Sequence, residues 1–170
     1  MRTLLIFLVF IISVITINAQ EEKSKKELKA EKKAKQMEEI REIAESKTFV
    51  FKANNANPMR GSTINLTSDY DVKITRDSIF SYLPFFGVAY SVNYAGTDSP
   101  MIFNQPFESC EIESKRNGYL VQVSVKNNSD RLEYSFHISV TGSTSLNVSS
   151  LNRQAISYNG YVEKIKEKKE

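Results

Sequence analysis

The chain is 170 residues long with a formal net charge of +3, a quarter of its residues charged, and one cysteine and one histidine. A single cysteine excludes an intrachain disulfide, and one residue of each kind leaves little for the metal and nucleophile chemistries that draw on them. Acidic and basic residues alternate closely, with no block of five or more like charges, which argues against a nucleic-acid partner.

The first residues read as a secretory signal peptide over 1–19. Arg2 supplies the basic start, Leu4 to Ile17 carries no charge, and Asn18-Ala19-Gln20 ends on a small residue at the cleavage position. The apolar run stops short of the about 20 residues that a membrane-spanning helix needs. The expectation is an exported protein beginning near Gln20, with no stable membrane insertion after cleavage and, for want of a cysteine there, no acyl anchor.

Residues 20–47 are almost all Glu, Lys, Ala, Gln and Arg, with no Gly or Pro, and predict a charged helix. Glu31 and Lys35 stand four apart in the order that supports it. Its apolar stripe, Ala30, Ala34, Met37, Ile40 and Ala44 joined by Ile43, is thin. The spacing predicts a mostly solvated helix whose last two turns dock on the following domain; a partner-binding coiled coil is the alternative, with an alanine-rich seam.

Residues 48–163 change to Phe, Val, Ile, Tyr, Thr, Ser and Asn with frequent turn residues, which predicts one antiparallel β domain followed by a charged tail over 164–170. Phe49-Val50-Phe51 begins a strand, and Asn57-Pro58 with Gly61 marks a turn. Ile64, Leu66, Tyr70, Val72 and Ile74 keep even parity into a hairpin at Arg76-Asp77, which places Ile74 opposite Ile79 and Tyr70 opposite Leu83. From about Phe107 to Val162 five strands form a meander with one inner face. Val125, Val123 and Val121 face Leu132, Tyr134 and Phe136 across a four-residue loop at 127–130. Asn117-Gly118 turns Cys110 and Ile112 onto the same face. Thr141-Gly142-Ser143 sets Ile138 against Leu146 and Phe136 against Val148, and a turn at 151–153 sets Val148 against Ile156 and Leu146 against Tyr158. Eight or so short strands with one buried face predict a mainly β fold, a curled barrel-like meander, with a two-sheet sandwich as the alternative.

The order Phe49-x-Phe51-x-Ala53, Pro58, Gly61, Leu66, Tyr70, then Leu83-Pro84-x-Phe86-Gly87-x-Ala89-Tyr90, and Leu146-x-Val148-x-Ser150 with Arg153, Ile156, Tyr158 and Gly160 resembles domain of unknown function family 4251. This is a group of small exported proteins of Bacteroidota. The resemblance implies a Gram-negative cell envelope, with the periplasm as the compartment and the extracellular space as the alternative, and it implies no activity.

The segment Phe80 to Tyr94 has the most functional potential. Phe80, Tyr82, Phe85, Phe86, Tyr90 and Tyr94 are its six aromatics, and Phe85-Phe86-Gly87 breaks the strand alternation. An aromatic loop at the mouth of a curled sheet could hold an apolar ligand or a sugar ring; the alternative is a packed plug that completes the core. The outward row Ser143, Ser145, Asn147 and Ser149 is a second surface, suited to glycan or merely to solvent. Asp77-Ser78-Ile79 resembles an O-glycosylation acceptor of exported Bacteroidota proteins, which would put a glycan on Ser78; an unmodified turn serine is the alternative.

For catalysis the sequence offers little. His137 alternates with charged and polar residues on the wet face, and Cys110 falls inward beside Ile112 as an inert thiol. No CxxC, HExxH, GxSxG or glycine-rich phosphate loop is present. Asp69 with Asp71, or Glu111 with Glu113, could serve as acid and base, but on a wet face such pairs read as solvated surface acids. The reading is therefore a non-enzymatic envelope module, without catalytic residues, metal or cofactor, that binds a small ligand, glycan or envelope protein through residues 80–94. A small-barrel hydrolase or isomerase using carboxylates and a purely structural domain are the alternatives.

Overall fold

The computed structural model describes residues 25–90, 101–127 and 130–165; the stretch 1–19 expected to be a signal peptide, Tyr94 and most of the charged tail lie outside them. The chain divides into two compact units, Met1–Gln36 and Met37–Glu170. Helix α1 covers residues 25–46. In the first unit its described residues are exposed throughout, and Lys35 pairs with Glu31 at 3.8 Å as the spacing predicts. In the second unit its last turns bury Ile40, Ile43 and Ala44 among the core residues, as expected of docked turns. The helix stops at Lys47, which adopts the left-handed conformation of a C-terminal cap (φ 53°) and donates from Nζ to the Cys110 carbonyl at 2.9 Å.

Eight strands follow in chain order: β1 Phe49–Pro58, β2 Ile64–Ile74, β3 Ser78–Tyr82, β4 Ile102–Lys115, β5 Gly118–Asn127, β6 Asp130–Ser139, β7 Ser143–Ser150 and β8 Ile156–Glu163. Each pairs with the next, all antiparallel, and β8 returns to β1, with Phe51 opposite Val162 and Pro58 opposite Ile156. The sheet is a closed barrel rather than a sandwich, because the inner parity found in each hairpin persists around the ring and leaves no second face to cover.

Side chains fill the interior. Phe49 and Phe51 meet Phe136 edge-on at 5.3 and 5.9 Å, Tyr134 stacks on Phe136 at 6.4 Å, and Tyr158, Leu146, Ile74 and Val72 complete a core without water-exposed members. An eight-stranded barrel has an interior of about the width its own side chains fill. The β1–β2, β3–β4, β5–β6 and β7–β8 connections leave from one end of the barrel, here called the loop end. The opposite end receives the last turns of α1, where the Ile40 side chain lies against Gly142 and Lys164 Nζ donates to Glu42 at 2.6 Å.

Most predicted pairings are present: Ile74 opposite Ile79, Val121 to Phe136, Val123 to Tyr134, Val125 to Leu132, Val148 to Ile156 and Leu146 to Tyr158; Ile112 and Cys110, expected on the face of Val121 to Val125, stand opposite Val121 and Val123. Other expectations are corrected. Leu146 faces Phe136, not Ile138, and Val148 faces Tyr134, not Phe136. The turn is centred one residue earlier than Gly142: Gly142 N–H donates to the Ser139 carbonyl at 2.9 Å, and Gly142 takes φ +84°. The loop 140–142 is thus a three-residue hairpin loop closed by a left-handed residue, and it shifts the pairing by two while keeping the inner face.

The β5–β6 ladder runs to Asn127 opposite Asp130, so its connection is shorter than four residues. At the β4–β5 hairpin, Lys115 pairs with Gly118 and the two-residue turn is Arg116-Asn117, one position before the Asn-Gly step. Strand β4 starts at Ile102 rather than Phe107, because a bulge between Phe107 and Ser109 reverses its parity midway. The β2–β3 ladder ends at Asp71 opposite Tyr82, one step before the expected Tyr70 and Leu83 pair.

Candidate functional site

Past Tyr82 the chain leaves the wall of the barrel. Leu83 is completely buried, and its N–H donates to the Met101 carbonyl at 3.2 Å. Beneath it Ser81 Oγ donates to the same carbonyl at 2.7 Å and accepts from Tyr134 Oη at 3.1 Å, while Tyr158 Oη donates to the Pro84 carbonyl at 2.6 Å. Burial pushes both phenols well above the ordinary tyrosine value, so both remain neutral donors. Two tyrosines thus tie the start of the 83–90 segment over the barrel's mouth.

The segment then crosses to the β7–β8 loop. Tyr90 N–H donates to Asn152 O at 2.8 Å, Gln154 N–H to Val88 O at 3.0 Å, and Val88 N–H to Gln154 Oε1 at 3.3 Å. Ala89 and Arg153 form an isolated β-bridge between the two loops. The Arg153 guanidinium lies 6.0 Å from the centre of the Phe85 ring, and its Nε is 3.5 Å from Asp130 Oδ2. Nε makes no hydrogen bond, so the contact with Asp130 is an ion pair without one. The Ser150 hydroxyl, 2.7 and 3.0 Å from the two Asp130 oxygens, shares the same carboxylate. Phe85 folds back so tightly over Gly87 that a Cβ there would stand 2.8 Å from its ring.

Between this crossing and the β1–β2 loop lies a groove of about 330 Å³, lined by Pro58, Arg60, Ile64, Phe86, Val88 and Gln154 among others. Its size falls at the lower limit of small-molecule sites, and its walls are mainly apolar. Among the described residues, Arg60 is the one charged residue lining it. Among the described residues lining it, Ser62 brings a hydroxyl with no carboxylate or histidine beside it in the lining, so what these residues can do chemically is hold an apolar body beside a cation.

The five described residues among the six predicted aromatics do not line one groove. Phe80 and Tyr82 continue the alternation of β3 and point outward, Phe80 with Lys73 Nζ 5.4 Å from its ring centre and Tyr82 stacked on Tyr70 at 5.4 Å. Phe85 packs under Arg153, Phe86 lines the groove, Tyr90 is exposed at the end of the crossing, and Tyr94 lies outside the described residues. Sequence reasoning missed Pro58, Arg60, Ile64, Val88 and Gln154. Their signal was topological: in a meander the β1–β2, β3–β4 and β7–β8 connections all reach the same end.

The other candidates lie elsewhere. Ser78 is half-buried at the start of β3, its hydroxyl 2.7 Å from Thr75 Oγ1 and its N–H bonded to that oxygen. Asp71 is ion-paired with Lys52 at 2.8 Å, and the hydrogen bond to Asp71 raises the Lys52 ammonium pKa. Asp69 is exposed, and Glu113 is ion-paired with Lys115. Glu111, with Gln122 and Glu133, lines a small groove of about 160 Å³ on the outer face of β4–β6, where both carboxylates are exposed. His137 is exposed on the same face. Cys110 is only half-buried; desolvation raises its thiol pKa, opposed by the nearby Lys47 charge. Ser145 faces Asn159 and Asn147 faces Ser157, so the serine and asparagine row stays on the outer wall. Among the described residues no group of three or more His, Cys, Asp or Glu could hold a metal ion, and no helix is long and apolar enough to cross a membrane.

Comparison with known proteins agrees with this architecture. The family described as domain of unknown function DUF4251 matches residues 31–162. No curated protein matches the chain. The crystal structure of a DUF4251 family protein from Bacteroides eggerthii DSM 20697 is similar at TM-score 0.56 and 13% identity, covering 76% of this chain and 87% of that one. At that identity the likeness speaks to the fold alone.

Proposed function

We propose, from the premise that this chain belongs to the DUF4251 family, that it is an exported, non-enzymatic binding module of the cell envelope whose ligand enters the groove beside Phe86. The family brings a fold and no activity, so the chemistry rests on this chain's own residues. Export is supported by Arg2, the uncharged run from Leu4 to Ile17 and the small residue Ala19, and the periplasm is the compartment that the family resemblance implies. The observation that carries the binding reading is the groove itself: about 330 Å³ walled by Pro58, Ile64, Phe86 and Val88, with Arg60 at its side. That chemistry fits a small apolar ligand.

The test is titration with N-phenylnaphthylamine, an apolar dye that fluoresces when it leaves water. Phe86→Ser removes the largest apolar wall, a change of about 2 kcal/mol in transfer terms, so affinity should fall more than tenfold. Phe80→Ser, on the outer wall, should leave it unchanged. Wild-type protein that binds no dye, or a Phe86→Ser variant that binds as well as wild type, would return the protein to the structural-domain reading.

A further inference from the structure

Loop tips of a soluble barrel are ordinarily polar, because they are the parts that meet water. Here the four most exposed large apolar side chains of the described residues are Leu151 (77%), Met59 (68%), Tyr90 (67%) and Val88 (56%). All four belong to the β1–β2, β3–β4 and β7–β8 connections, and hence to the loop end. The described loop residues there, 59–63, 83–90 and 151–155, contain two arginines and no aspartate or glutamate in a chain that is one-quarter charged. Arg153 is already ion-paired with Asp130, which leaves Arg60, next to Met59, as the exposed cation. The opposite end differs, being covered by the α1 turns that bury Ile40 and Ile43.

We propose that the loop end docks reversibly on the surface of an anionic lipid bilayer. Leu151, Met59 and Val88 are of the kind that enters the boundary between headgroups and acyl chains, Tyr90 is suited to headgroup depth, and Arg60 meets a lipid phosphate. Three separate tips whose described residues include no aspartate or glutamate suit a fluid, negatively charged surface; Asp98 of the β3–β4 connection lies outside the described residues. The crossing segment is pinned by the Tyr158, Asn152 and Gln154 hydrogen bonds, so the tips are held ready for contact. This docking goes beyond the groove's ligand: Leu151, Met59 and Tyr90 do not line the groove.

The experiment is co-sedimentation of the protein from Gln20, which keeps every described element, with vesicles of phosphatidylcholine alone or with a phosphatidylglycerol fraction. Binding should be stronger with phosphatidylglycerol and fall as salt rises. Met59→Asp with Leu151→Asp should lower it more than tenfold, while Tyr161→Asp, the same change on the outer wall, should not. Arg60→Gln should reduce the preference for the anionic vesicles about fivefold. Because the tip positions are exposed, the double variant should keep the wild-type melting temperature and its dye affinity, which separates failure of docking from failure of the groove reading. Absence of vesicle binding, equal binding by the double variant, or full displacement from vesicles by soluble glycerol phosphate would overturn the proposal; a tip surface that captures a protein partner in place of vesicles would do the same.

Discussion

The Phe136 ring packs edge-on with Phe49 and Phe51 and stacks with Tyr134, and three residues earlier on the same strand Glu133 is exposed. Phe136→Ser leaves a cavity and an unpaired hydroxyl, so it should lower stability by about 3 to 5 kcal/mol, whereas Glu133→Ser should stay within about 0.5 kcal/mol. Equal thermal melts for the two variants would contradict the register. The buried phenols of Tyr134 and Tyr158 make a pH prediction. Their folded pKa values are raised above the ordinary value of 10.0, chiefly by desolvation, and the anion is the form that burial disfavours. Their contribution is complete below pH 10 and is lost as pH rises from there toward the folded values, because only the unfolded chain releases the protons. Unfolding free energies from urea titrations should therefore fall steeply above pH 10, by about 1.4 kcal/mol per pH unit for each tyrosine, and Tyr134→Phe should flatten that slope. Ser78 carries a simpler expectation: native protein should gain glycan mass that Ser78→Ala lacks, even though the hydroxyl must first release Thr75. An intact mass matching the bare chain would remove that idea.

Helix α1 and the β6–β7 turn are one joint, since Gly142 gives the turn its left-handed residue and leaves room for Ile40. Gly142→Ala should cost about 1 to 2 kcal/mol through backbone strain and a contact of 2.9 Å from the new Cβ to Ile40 Cδ1. Ile40→Ala should cost about 2 to 5 kcal/mol by opening the helix-covered end; a denaturation midpoint unchanged by either variant would show that the turns do not seal it. The same joint shows why sequence reading stopped where it did. Alternation in Leu132, Tyr134, Phe136 and Ile138 revealed which residues point inward, because parity survives a shift of two. It could not reveal the shift itself, which depends on whether Gly142 lies at the centre or the end of its turn. Likewise the bulges at Ala53/Asn55 and Phe107/Ser109 each insert residues that no composition announces, so β4 was legible only beyond its bulge. The groove was half legible. Phe86 was singled out by broken alternation, but Arg60, Ile64 and Gln154 became its neighbours only through the meeting of three distant loops.

At the scale of the whole barrel, closure is the property on which the rest depends. The β1–β8 seam runs from Val50 opposite Glu163 to Pro58 opposite Ile156, with one bulge at Ala53/Asn55, so residues about a hundred positions apart in sequence must meet before the core is sealed. Folding should be slow for a domain of this size, and removing β8 should abolish the cooperative transition rather than leave a seven-stranded sheet; stopped-flow refolding and a melt of the shortened chain would check both. That seam also means the ring has no privileged beginning. Lys164 reaches Glu42 and Glu163 lies beside Val50, so the two edges where the backbone enters and leaves the ring are already neighbours. A circular permutant that joins residue 165 to residue 37 by a short glycine–serine linker, and opens instead at Arg116-Asn117, should recover the native near-ultraviolet dichroism. The cyclic order of the strands, and not the point at which the chain starts to trace it, would then be what the sequence encodes.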